Sequence, residues 1–141
     1  MFYGVKIQKL DDGKFQVSCR DFPDVVSEHE TEQEAKEFAM SFVPGVMMLE
    51  YRHKRKAIPL PSPYLKNELA CYVPTKVQAK ILFWNFMIEH GLKIADVARK
   101  LGIAHSEAAR LVDLTKDSAS IDTVERALRE LGGSFQLTLN K

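Results

Sequence analysis

Two cysteines, four histidines and a scatter of carboxylates are the residues here that could hold a metal ion or act in nucleophilic or acid–base catalysis. Their spacing does not assemble such a site. Cys19 and Cys71 stand alone inside apolar, strand-like runs, without the paired spacing of a metal knuckle or a redox motif. His29, His53, His90 and His105 have no cysteine or serine at a spacing that marks a ligand set or a base–nucleophile pair. Asp11, Asp12, Asp21 and Asp24 fall in turn segments, where aspartate is favoured because its side chain bonds nearby backbone groups. No metal, cofactor or catalytic residue is expected, and the remaining chemistry is that of binding.

The charges suggest two kinds of binding. Residues 1–50 carry 5 basic and 10 acidic side chains, a net of −5, and residues 51–141 carry 15 and 9, a net of +6. An acidic half suits a basic protein and a basic half suits nucleic acid, although chance imbalance on solvated faces produces the same count. The most specific pattern is residues 94–113, IADVARKLGIAHSEAARLVD. Val97, Leu101, Ile103, Ala108 and Leu111 are apolar where two short helices would face each other. Ala98 is small at their crossing, and Gly102 supplies the positive φ of the turn. This resembles the helix-turn-helix of the phage-repressor class, here as a five-helix arrangement counted from Thr75. The second helix would present His105, Ser106, Ala109, Arg110 and Asp113 outward, with its N-terminal end toward base edges. Arg110 could read a guanine or hold a phosphate. Lys93, Arg99, Lys100 and Lys116 are candidate phosphate contacts, and each is equally explained as a solvated charge.

The elements that would carry these residues follow from periodicity. Residues 2–10, 15–19 and 25–27 read as three strands, the first two joined by an Asp-Gly turn. Thr31 and Glu34 form a capping box, followed by an apolar stripe from Ala35 to Met47 in which Pro44 predicts a kink or an early end. The YRHKRK run at 51–56 reads as a solvated basic linker, and IPLPSP at 58–63 as an extended connector. Leu69, Cys71 and Val73 alternate as a fourth strand. A strongly apolar helix spans 75–90, too rich for one narrow stripe, and helical segments follow near 93–101, 105–115 and 121–131. Residues 134–140 alternate Phe135, Leu137 and Leu139 as a final strand. The expected fold is α+β: a βββαβ layer over residues 1–74, which include the connector, and an all-α DNA-binding and dimerisation domain over 75–141, ending in a short strand. No apolar run approaches the roughly 20 residues of a membrane span, and the N-terminus lacks a signal-peptide pattern, so a cytoplasmic protein is expected.

This order of parts resembles the HicB antitoxins. The residues that carry the resemblance are the short N-terminal strands, the TEQEAKEFA helix, IPLPSP, and the tail LKIADVARKLGI, LVDL and VERALRELGG. It implies that the N-terminal layer is a partial RNase H-like fold without nuclease activity. That layer would bind a HicA-type RNA-cleaving toxin and cover its active site. The C-terminal domain would bind operator DNA as a homodimer or higher oligomer and repress the operon. RNase H nucleases place a carboxylate on the first strand, and residues 2–10 contain none. An acidic neutraliser would be drawn to a toxin that must hold RNA phosphates. Glu28, Glu30, Glu32 and Glu34 are then read as a toxin-facing edge. Equally, Glu32 and Glu34 stabilise a helix N-terminus and face water. The alternative function is a stand-alone transcriptional regulator whose N-terminal domain senses a small ligand. An adjacent reading frame for a short basic protein with a conspicuous histidine would discriminate between them.

Overall fold

The computed structural model describes residues 1–41, 46–63, 65–114 and 119–139, and for 46–49 the backbone alone. The chain divides into two compact units, residues 1–74 and 75–141.

In the first unit, β1 (Phe2–Lys9) and β2 (Phe15–Cys19) form a hairpin. Gly13 takes φ +87° at its turn, and Asp12 accepts the Lys14 backbone N–H at 2.9 Å. β3 (Val26–His29) pairs with β2, and β4 (Leu69–Tyr72) with β1, giving an antiparallel sheet of order β3-β2-β1-β4. Alternation sends Tyr3, Val5, Val17, Cys19 and Cys71 to one face, where all are buried. α1 (Glu32–Ser41) covers that face with Ala35 and Ala39, whose small side chains let the helix lie close. Thr31 caps it by accepting the Glu34 backbone N–H at 3.1 Å.

Three details differ from the sequence reading. The third strand is Val26–His29 rather than 25–27, so Glu28 lies within it. A separate helix, α2 (Val46–His53), follows α1, while the expected kink at Pro44 lies outside the described residues. Tyr51, Arg52 and His53 therefore form the last turn of a helix rather than a linker, and basic groups there complement the helix dipole. After this second helix and the segment that follows it, β4 pairs antiparallel with β1, a direction that alternation alone does not specify.

The Pro-rich segment is extended, as its prolines require, yet it is packed rather than loose. Ile58 is buried, and the Tyr3 hydroxyl donates to Pro59 O at 2.6 Å. Asp21 accepts both the backbone N–H and the hydroxyl of Ser62. Arg20 grips Glu68 through Nε and Nη2, each at 2.8 Å, and Nη2 also donates to Pro63 O. Leu65 N–H also donates to the carboxylate, at 3.0 Å. Arg20, followed by burial and the Leu65 N–H, governs the Glu68 carboxyl, whose net shift is below the ordinary range. The stability this group contributes is present above the ordinary carboxylate range and is lost as pH falls through its lowered folded value.

Gly4 makes room for this carboxylate. A Cβ there would lie 2.8 Å from Glu68 Cδ and closer still to Oε1. Gly4→Ala must displace a buried side chain that is held from three sides. A destabilisation of about 1–3 kcal/mol is expected, the usual cost of overpacking. Urea unfolding should show it, and the penalty should shrink in a Glu68→Ala background if the clash with Glu68 is its cause.

In the second unit, α3 (Thr75–Glu89) is apolar nearly all round, and Ala79, Ile81, Phe83, Trp84 and Met87 are buried. α4 (Ile94–Leu101), α5 (His105–Arg110) and α6 (Ile121–Glu130) follow. Among the described residues this unit has four helices rather than five, and α5 stops at Arg110 rather than 115. Ser120 caps α6 by accepting the Thr123 N–H at 3.1 Å. The expected final strand does not form over residues 134–139, which pair with no strand among the described residues, and a strand needs a neighbour.

Candidate functional site

The pattern at 94–113 folds as two short helices in contact, α4 and α5, joined through Gly102, Ile103 and Ala104. Gly102 caps α4 in the left-handed conformation, φ 66° and ψ 36°. A Cβ there would meet no atom within 4 Å, so backbone conformation alone calls for glycine. Ile103 N–H then returns to Ala98 O at 3.0 Å, closing the helix end. Val97, Ala108, Leu111 and Val112 are buried beneath the pair.

This packing fixes what α5 shows to solvent. His105, Ser106 and Arg110 are exposed, while Ala109 and Asp113 are half-buried rather than fully outward. Lys93, Arg99 and Lys100 are exposed on and beside α4. Arg99 Nη2 is tied to Asp96 Oδ1 at 2.8 Å and remains largely solvated. The Lys93 backbone N–H donates to Asp96 at 2.8 Å, and this bond, followed by Arg99, holds the Asp96 carboxyl below its ordinary range. Lys116 lies outside the described residues. Behind α5 is a groove of 280 Å³ lined by Leu101, Ile103, Glu107, Leu111, Arg126 and Glu130 among others.

The acidic candidates occupy one border of the first unit. Glu28 is exposed on edge strand β3, on the sheet face turned away from α1. Phe2 and Tyr72 share that face and form an exposed ring pair with centroids 5.4 Å apart. The sequence reading passed over this pair, although both rings fall on the opposite alternation to the buried Tyr3 and Cys71. Glu30 reaches Lys14 at 3.8 Å, and Glu32 reaches Lys36 at 3.3 Å on the same helix. Glu34 is exposed in the first turn of α1.

Counted by unit, the charge asymmetry nearly disappears. Residues 1–74 hold 10 basic and 11 acidic side chains, and residues 75–141 hold 10 and 8, giving net charges of −1 and +2. The basic run at 52–56 belongs to the first unit. Electrostatic complementarity must therefore come from local ridges and not from whole domains.

Cys19 and Cys71 are free and buried, and burial pushes the Cys71 thiol up to about 11, so neither presents a ready thiolate. No group of three metal-ligating side chains occurs among the described residues, and no described helix is long and apolar enough to cross a membrane.

Residues 2–82 match the family described as the HicB-like antitoxin of bacterial toxin–antitoxin systems. The chain is 30% identical to Antitoxin HicB 1 of Photorhabdus laumondii, over 99% of this chain and 86% of that one. It is also 30% identical to Antitoxin HicB of Escherichia coli K12, over 99% of each, and 28% identical to Antitoxin HicB of Pseudomonas fluorescens, over 97% and 92%. Shared composition alone does not extend an alignment across both units, and this chain belongs to the HicB-like antitoxin family of bacterial toxin–antitoxin systems.

Proposed function

We propose that this antitoxin works through two surfaces. The first unit binds a HicA-type RNA-cleaving toxin and covers its active site. The second binds operator DNA as a homodimer and represses the operon, with α4 and α5 as a helix-turn-helix. The observation that carries the DNA-binding reading is α5 itself: His105, Ser106 and Arg110 are exposed while Ala108 and Leu111 anchor the helix from below. Side chains at the start of such a helix meet base edges, and Lys93, Arg99 and Lys100 are available to the flanking phosphates.

The toxin-facing reading rests on family membership and on the border formed by Glu28, Glu30, Glu32 and Glu34. A toxin that grips RNA must present cations, and acidic side chains without burial can steer its approach. The three-strand meander with α1 on one face supports describing the first unit as a partial RNase H-like layer. The antiparallel β4 is its departure from a simple strand–helix–strand crossover.

Gel shifts with the DNA upstream of the antitoxin's own operon test the assignment. Arg110→Ala is expected to weaken operator binding by about 1–3 kcal/mol, roughly 5- to 150-fold, with protection from the toxin unchanged. An operator shift that survives Arg110→Ala and His105→Ala combined would show that another element reads the DNA.

A further inference from the structure

Lys80 lies in the middle of α3, between Ala79 and Ile81, and is 1% exposed. A lysine is almost never buried this fully without a polar partner, because its ammonium group must replace lost water. Its Nζ donates to the backbone carbonyl of Asp113 at 2.7 Å. Asp113 stands three residues beyond the end of α5, where Leu111, Val112 and Leu114 turn down into the core.

α5 has only six residues. A helix this short does not hold its own shape, so both ends must be fixed from outside. The Gly102 turn fixes its beginning. At its far end the backbone bonds weaken: Leu111 N–H reaches Ala108 O at 3.2 Å, Val112 N–H reaches Ala109 O at 3.3 Å, and Asp113 N–H reaches Arg110 O at 3.5 Å. The last carbonyls of a helix have no i→i+4 partner and here accept these longer i→i+3 bonds instead, and a cation nearby is favoured by the helix dipole. Lys80 brings such a cation from a different helix to the Asp113 carbonyl, three residues past that end, bridging 33 positions in sequence.

We propose that Lys80 is a positioning residue for α5: by holding the Asp113 carbonyl from beneath, it fixes the exit of that helix and hence the direction of Arg110. It does not touch DNA, and acts through the segment 111–114. This inference rests on the reading of α5 as the DNA-facing helix. An apolar residue of similar shape would fill the same space without the bond to the Asp113 carbonyl, which separates positioning from mere filling of the core.

The test uses the full chain with Lys80→Met, and Lys80→Gln as a variant that keeps a donor. Operator affinity of Lys80→Met should fall at least tenfold, with Lys80→Gln recovering part of the loss. The slope of affinity against salt should stay that of the parent protein, because no phosphate contact is removed. Amide exchange should accelerate at residues 111–114 while α3 and α6 keep their protection. Unchanged operator affinity in Lys80→Met overturns the inference. If Arg110→Ala is also without effect, the DNA-facing assignment of α5 falls with it. If Arg110→Ala abolishes the shift, that assignment stands and only the role of Lys80 is lost. Exchange that rises equally in α3, α6 and 111–114, in both variants, would make Lys80 a core residue and equally overturn the inference.

Discussion

A chain ending at Gly133 is expected to sediment as a monomer at micromolar concentration and to lose roughly 10²- to 10⁴-fold in operator affinity, because two linked half-sites are then no longer engaged together. Leu137 and Leu139 are 84% and 83% exposed, and residues 134–139 pair with no strand among the described residues. The root of this segment is held tightly: a Cβ on Gly133 would come within 2.8 Å of Leu128 Cδ1 and 3.1 Å of Phe86 Cε2. Beyond this point Phe135 is half-buried, while Leu137 and Leu139 are uncovered. Pairing with the same segment of a second copy across a two-fold axis would satisfy both edges and cover both leucines. α3 contributes less to this expectation than its composition suggests, since its exposed large apolar residue is Leu82, at only 37%. Sedimentation of the shortened chain checks the dimer, and gel shifts check the operator. A shortened chain that stays dimeric places the two-fold contact elsewhere.

The sequence disclosed the elements whose cause is local. Thr31 caps α1, Gly13 and Gly102 adopt the positive φ that their turns require, and alternation assigns Tyr3, Val5 and Val17 to the core. It was silent where the cause lies far along the chain. Gly4 and Glu68 are 64 positions apart, and nothing in either neighbourhood announces that one must be small to seat the other's carboxylate. Arg20 and Asp21 read as the end of a strand and a turn, yet they fasten the segment 62–68. Lys80 had one available signal, a cation inside the run AKILFW, and burial was needed to give it meaning. The charge count misled because the halving point at residue 50 falls inside the first unit, so Arg52, Lys54, Arg55, Lys56 and Lys66, with Glu68, were counted with the second. The exposure of His105, Ser106 and Arg110 was legible for the opposite reason: the spacing of Val97, Gly102, Ala108 and Leu111 dictates which neighbours remain outside.

A fragment of residues 1–74 is expected to fold, to silence the toxin, and to have no measurable operator affinity. Each unit has a core of its own: Tyr3, Val5, Val17 and Phe22 in the first, and Phe83, Met87, Val97 and Val124 in the second. The cut must respect the sheet. β4 is the fourth strand, and Val73 N–H still bonds Met1 O at 2.9 Å, so ending the chain at Pro61 would remove a strand, the Ser62 contact and Glu68 together. Ending at Pro74 keeps all of them. Silencing should be weaker than in the full chain, because a dimer offers the toxin two linked sites. Reversing Glu28 and Glu30 in this fragment would take its net charge from −1 to +3 and remove the Lys14–Glu30 pair. Both side chains are exposed, so the effect belongs to the encounter: toxin association should slow about tenfold at low salt, with a flatter salt dependence and a nearly unchanged dissociation rate. Stopped-flow association and growth rescue measure the two effects separately. A folded 1–74 fragment that fails to protect cells, while residues 75–141 succeed, would move neutralisation to the helical unit and leave the acidic border to the stability of α1.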